Sequence, residues 1–236
     1  MRVEIYSYRF AQEILQHSKY KNGWNEIMDV ISNTPLFVYP GKSKRNSKLD
    51  VVQQVMNTYF DRRLSVDLGW EYHPLATDIS NSALKADFRK TFDDLTIQAE
   101  VQFGNAARWY SDIFKFQTAY SQSMINLGLC VIPTASLARR IDSNVVQFER
   151  TGRELPSAEL SITLPIILAG IEPDDNTPIV DVSQCQFKSI NHITGKGYNK
   201  NKWRIVHGYL NGVDMRSIGP DSDTGPMLAI NDNDDE

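Results

Sequence analysis

At 236 residues, with a formal net charge of −4, 41% hydrophobic and 23% charged residues, the chain has the size and make-up of a globular protein with one large core. No apolar run approaches the roughly 20 residues of a bilayer span, and the opening MRVEIYSYRF lacks the apolar stretch of a signal peptide, so a cytoplasmic protein is expected. The negative balance argues against indiscriminate coating of nucleic acid, and Cys130 and Cys185 show no metal spacing and are expected to be reduced.

Trp24, Ile27, Met28 and Ile31 fall at helical spacing and predict a helix over 24–33, closed by Pro35. GKSKRNSKLD (41–50) is polar and basic and reads as a loop. A second helix is predicted from Leu49 to Phe60, with Val52, Val55, Met56 and Phe60 on its apolar face. From Ala83 the period changes to two. ALKADFRK places Leu84, Ala86 and Phe88 opposite Lys85, Asp87 and Arg89. LTIQAEVQF (95–103) places Leu95, Ile97, Ala99, Val101 and Phe103 opposite Thr96, Gln98, Glu100 and Gln102. Two such runs joined by TFDD predict an antiparallel pair.

Residues 106–125 form the longest predicted helix, with Trp109, Ile113, Phe116 and Tyr120 along one stripe and Tyr110 and Phe114 widening it. LGLCVIPT reads as a buried strand, SLARRID and NVVQFERTG as short helical pieces, and 160–173 as another strand with Pro165 at a bend or edge. The order predicts an α/β fold, a central mixed sheet flanked by helices. The expected division is a core over 1–175 with an N-terminal helical elaboration, a C-terminal extension over 176–228, and an acidic, disordered tail over 229–236.

Alternation sets Glu100 and Gln102 on one face, their Cβ atoms roughly 6–7 Å apart. If the two strands pair, Asp87 stands beside Glu100. Two adjacent carboxylates raise each other's pKa unless a cation lies between them. A hard divalent ion fits such oxygens: Mg²⁺ takes one or two carboxylates, keeps waters and accepts phosphate oxygens. That chemistry suits hydrolysis of a nucleic-acid backbone. Acids on the solvated face of an amphipathic strand are the plainer reading of the same spacing.

An Asp, a variable loop and Glu-X-(Lys/Glu/Gln) at a strand end resembles the PD-(D/E)XK nuclease superfamily. ADFRKTFDDLTIQAEVQFGN resembles its group of type II restriction endonucleases that includes BglII, BstYI and BamHI. The helix after Gly-Asn, the apolar strand ending in Ile-Pro and the strand ending LAGIEP follow in the same order, so the resemblance covers about residues 83–173. It implies a restriction-endonuclease-like core, Mg²⁺ as cofactor, a homodimer, and a short palindromic site in double-stranded DNA, GATC-centred by analogy, cut to leave 5′-phosphate ends. Asp87, Glu100 and the Val101 carbonyl would hold the ion. Gln102, where most relatives carry lysine, would position the attacking water or the phosphate. The stretch between Asp87 and Glu100 is longer than in the glutamine-type relatives, which leaves Asp93 or Asp94 as competitors for the first carboxylate.

The resemblance also implies base contacts from Gly104 and Asn105 and from a second segment holding Arg139, Arg140, Asp142, Ser143 and Asn144. A turn with positive φ is the alternative for Gly-Asn, and a helix N-cap pair for Ser143 and Asn144. Lys196, Lys200, Lys202 and Arg204, interleaved with Tyr198 and Trp203, are candidates for phosphate contact, with a solvated loop as the alternative. His17, His73, His192 and His207 show no ligand spacing and read as structural. Two other functions compete: a sequence-specific DNA-binding protein whose missing lysine marks a decayed site, and a structure-selective repair nuclease.

Overall fold

LGLCVIP and IILAGIE are apolar at nearly every position, and strands of that kind need cover on both faces. The computed structural model, which describes residues 1–159 and 161–228, supplies it. The chain runs β1 (Arg2–Tyr8), α1 (Ala11–Gln16), α2 (Lys21–Ser32), β2 (Leu36–Val38), α3 (Gln53–Phe60), β3 (Glu71–Tyr72), β4 (Phe88–Phe92) and β5 (Leu95–Val101). It continues through α4 (Ala106–Ser121), β6 (Leu127–Pro133), α5 (Ala135–Ile141), α6 (Phe148–Glu154), β7 (Ile166–Glu172), β8 (Ile179–Asp181), α7 (Asn191–Thr194) and α8 (Asn199–Leu210). The acidic tail expected over 229–236 lies outside the described residues.

Six strands form one mixed sheet in the order β1-β7-β6-β5-β4-β3, and β2 and β8 form a parallel pair of their own. The centre, β5-β6-β7, is parallel, and β1, β4 and β3 pair antiparallel at the two sides. Glycines let aromatic rings lie on the sheet. A Cβ on Gly128 would meet the Phe116 ring of α4 at 3.1 Å, and one on Gly170 would meet Cγ of Phe148 in α6 at 2.4 Å. By register Gly128, Glu100 and Gly170 share a face, so α4 and α6 cover the side that carries Glu100. On the other side α2 brings Gly23 against the Phe92 ring. Among the described residues no helix is long and apolar enough to cross a membrane, and both cysteines are free and buried.

Several expected boundaries shift, each for a local reason. The second helix begins at Gln53 instead of Leu49, because the amides of Asp50 and Val51 donate to the Arg140 carbonyl and Val51 bridges to Val38. Beyond Phe60 it continues as a π-helical segment, Asp61–Asp67. The strand expected from Ala83 starts at Phe88, since Leu84 and Ala86 bond to Ala76 and Pro74 across a loop. The expected TFDD turn shrinks to Asp93–Asp94, with Asp93 left-handed at φ 55°. The long helix stops at Ser121, where Ser123 turns left-handed at φ 58°, and the last core strand begins after Pro165. Gln98 and Glu100 were read as a polar face, yet both lie under α4's side of the sheet, 0% and 1% exposed.

Gly170→Ala should destabilise the protein by about 1–3 kcal/mol, since the added methyl collides with the base of the Phe148 ring and not with a flexible tip. Urea unfolding of the two proteins measures this directly.

Candidate active site

Ligands in open α/β sheets gather beyond the carboxyl ends of parallel strands. Here a cleft of about 520 Å³ opens at the end of β5, bounded by α3, α4 and α8. Glu100, Val101 and Gln102 enter it from β5, and Asp87 from the residue just before β4. Phe88 pairs with Ala99, so continuing that register by one residue sets Asp87 opposite Glu100. Oδ2 of Asp87 accepts the Val101 amide at 2.8 Å, and the Asp87 carbonyl accepts the His73 amide at 3.0 Å. Asp93 and Asp94 sit at the far end of the hairpin, where Asp94 pairs with Lys19 at 2.7 Å and accepts the Tyr20 hydroxyl. Of the three candidate aspartates, Asp87 alone lines the cleft with Glu100.

Helix α4 supplies what the strands lack. Nζ of Lys115 lies 2.7 Å from Oε2 of Glu100 and 2.9 Å from Oδ1 of Asp112. Oε1 of Glu100 is buried and has no hydrogen-bond partner among the described residues. Gln102 is held at both ends: Oε1 accepts the Gly104 amide at 2.8 Å and Nε2 donates to Oδ2 of Asp112 at 3.2 Å. A Cβ at 104 would stand 2.9 Å from the Gln102 oxygen, so a larger residue there would push that amide out of its place. Neither Gly104 nor Asn105 has a positive φ, so the Gly-Asn pair is not the left-handed turn considered as an alternative.

The electrostatics follow from burial. Burial pushes Glu100 well above the usual carboxylate range, and Asp87 and Asp112 push it further, against the pull of Lys115. Burial raises Asp87 to about 6, with Lys115 and the Val101 amide opposing. Burial would lower Lys115, but Glu100, Asp112 and Asp87 more than reverse that and hold it charged. Asp61, at the mouth of the π-helical segment, is raised to about 8 by burial and by Asp87, and Lys202 pulls it back. Four carboxylates thus face the cleft or its floor, with Lys115 the cation bonded to two of them. Among the described residues no three His, Cys, Asp or Glu side chains form a ready metal cage. The donors do fit one hard ion that uses few carboxylates: the orphaned Glu100 oxygen, Asp87 beside it, and an excess of negative charge.

The two segments expected to meet bases lie side by side. Asn105 caps α4, its Oδ1 accepting the Ala107 amide at 2.8 Å and Nδ2 of Asn144 at 3.2 Å. Backbone bonds from Ala106 to Asn144 and from Val146 to Gly104 stitch the segments together. Helix α6 is capped by Gln147, so Ser143 and Asn144 are not its N-cap pair. Arg139, Asp142, Ser143 and Asn144 are exposed, whereas Arg140 is committed to a two-pronged ion pair with Asp50 at 2.7 and 2.9 Å. Lys196 and Lys200 are exposed and Lys202 lines the cleft. Arg204 is turned inward, bonding to the Ser222 carbonyl and to Asn201.

Asp61, Asp112, Lys115 and Asn199 line the cleft and were not singled out from sequence; Trp203, noted only as an aromatic within the basic stretch, and His73, read as structural, also line it, and His73 stacks on Tyr72 at 3.8 Å. One signal was available. Asp112 falls three residues after Trp109 and four before Phe116, at the border of the apolar stripe, with Lys115 as its i, i+3 partner, and a charge at an apolar stripe calls for a buried partner. Nothing comparable marks Asp61, whose place depends on how α3 unwinds.

A mixed sheet with paired acids at the end of a central strand, beside exposed polar loops, defines a nuclease of the restriction-endonuclease fold. The family model described as restriction endonuclease BglII/BglIII matches residues 3–171, and the chain belongs to that family of site-specific deoxyribonucleases. Among solved structures, restriction endonuclease BglII complexed with a DNA 16-mer is similar at a TM-score of 0.61 and 20% identity, over 75% of this chain and 81% of that one. Free BglII is similar at 0.50 and 17%, over 75% and 82%. No curated protein sequence matches.

Asp61 carries a pH signature. Its carboxyl titrates near the ordinary 3.8 when unfolded and at about 8 when folded, so the folded state holds the extra proton and stability falls as pH rises between those values. Asp61→Asn should therefore raise Tm by a few degrees at pH 8 and by much less at pH 4, as thermal melts at the two pH values will show.

Proposed function

We propose that the protein is a Mg²⁺-dependent type II restriction endonuclease of the PD-(D/E)XK kind. It would act as a homodimer in a prokaryotic cytoplasm and cut a short palindrome, GATC-centred by analogy with its relatives, to leave 5′-phosphate ends. The observation that carries this reading is the placement of Asp87 and Glu100 face to face at an open cleft, with a buried Glu100 oxygen left without a partner.

Glu100 through Oε1, Asp87 and the Val101 carbonyl would hold the ion. Bound there, a divalent cation lowers the pKa of a water and neutralises charge growing on the phosphate. Asp87 is fixed by the Val101 amide, so the strand that presents Glu100 also orients its partner acid. Gln102, as a neutral amide, can orient but cannot supply charge, and its bonds to Gly104 and Asp112 set where it points. Asn105 and Asn144, tied to each other at the edge of the cleft strand, would meet base edges in the major groove. Lys196, Lys200 and Lys202 would meet phosphates. Tyr110 and Phe114, 56% and 62% exposed on α4, supply apolar surface for a two-fold partner.

Retention of the acid pair speaks against a decayed, purely DNA-binding site. Two mutually repelling carboxylates in a buried setting are costly to keep, and a site released from catalysis has no reason to maintain them. Purified protein with Mg²⁺ should convert a plasmid into discrete bands. Glu100→Ala should lower that cleavage by about 10³-fold or more while the variant still shifts the same DNA in metal-free gels. Smeared products or uncut plasmid across many templates would overturn the reading, and preference for flaps or mismatches would point instead to a repair nuclease.

A further inference from the structure

Cleavage of a phosphodiester builds negative charge on the phosphoryl oxygens. A water oxygen bonds to phosphorus while the bond from phosphorus to the 3′ oxygen breaks. Its electron pair stays on that oxygen, which takes a proton, and the attacking water loses a proton to solvent. A cationic side chain near those oxygens stabilises the passage. In this chain the residue two beyond Glu100 is glutamine, which brings no charge.

The structure places a lysine there by another route. Lys115 comes from the third turn of α4, lines the cleft, and keeps 13% of its side chain exposed at the same carboxylate that the ion would use. It holds Oε2 of Glu100 and leaves Oε1 open, so it can remain bound to Glu100 while that acid takes an ion. Asp112 joins the two halves, accepting from Gln102 on one oxygen and pairing with Lys115 on the other. We propose that Lys115 is a catalytic residue: its ammonium, delivered from α4, takes the place of the lysine that Gln102 replaces and faces the scissile phosphate, with Asp112 as the positioning residue that aligns both side chains. This rests on the nuclease reading above and adds to it a residue outside the Asp87, Glu100 and Gln102 set.

The test separates charge from scaffolding. Lys115→Gln can still hydrogen-bond Glu100 and Asp112, whereas Lys115→Arg keeps the charge. At saturating Mg²⁺ and DNA, Lys115→Gln should lose about 10²-fold or more in the cleavage rate constant, and Lys115→Arg should stay within about tenfold of wild type. Rates are taken with the DNA site saturated for each variant, so that any change in duplex affinity is kept apart from the chemical step. A second readout needs no activity. Mn²⁺ titrated into the DNA-free protein should bind Lys115→Gln at least about fivefold more tightly, because one counter-charge has left the acids. Cleavage by Lys115→Gln at the wild-type rate, or Mn²⁺ affinity equal to wild type, would overturn the proposal. Wild-type protein that cuts no DNA would instead sink the nuclease reading, and the Mn²⁺ comparison would still report on Lys115.

Discussion

Cross-strand register between β4 and β5 is the constraint on which the site depends. Once Phe88 pairs with Ala99 and Phe92 with Leu95, Asp87 has nowhere to stand except opposite Glu100, whatever repulsion results. Apolar burial enforces the arrangement: Phe88, Ile97 and Ala99 are all but fully buried, and a one-residue slip would turn every one of them to the wrong face. The sheet therefore spends part of its hydrophobic stabilisation on holding two acids together. The acids respond as chemistry requires, by taking up protons more readily or by gathering cations.

Helix α4 gathers the other half of the site. Phe116 seats on the flat spot at Gly128, and that contact fixes the rotation of the helix about its axis. Asp112, one turn back, and Lys115, the residue just before Phe116, are then aimed at β5, where Gln102, Asp112, Lys115 and Glu100 form one chain of hydrogen bonds and ion pairs. On the far wall α8 packs against α3 and contributes Asn199, Lys202 and Trp203. That wall lies beyond residue 171, where the family match ends. Among the described residues, both side-chain heteroatoms of Asn199 and the Trp203 indole nitrogen are buried without a hydrogen-bond partner.

The period-two runs were legible as the strands over 88–92 and 95–101 because a strand's alternation is short-range, though the same pattern over 83–87 lies in a loop. So were the apolar strands β6 and β7, whose composition leaves them no surface to occupy. The resemblance carried Asp87, Glu100 and Gln102 to positions that the structure brings to one cleft. What could not be read depends on contacts between distant segments. Gln98 and Glu100 look like a solvated face until α4 is laid over them. The N-terminal strand β1 pairs with β7 some 160 residues later, and its half-buried pattern announces no partner. Asp61 joins the site because α3 widens into a π-helical segment, which local propensity does not foretell.

In the base-reading role proposed for Asn105 and Asn144, their mutual bond limits what each amide can say to a base. Both lone-pair directions of the Asn105 oxygen are occupied, by the Ala107 amide and by Asn144, so the group it offers outward is its NH₂. Asn144 has given an N–H to that bond and offers its oxygen. The pair together presents N–H donors from Asn105 beside the Asn144 oxygen as acceptor, a match for an edge such as the N7 and N6 of adenine. Any nucleotide that instead drew Asn105 away from Ala107 would uncap α4 at a cost of about 1 kcal/mol. A mismatch would thus be penalised inside the protein as well as at the groove.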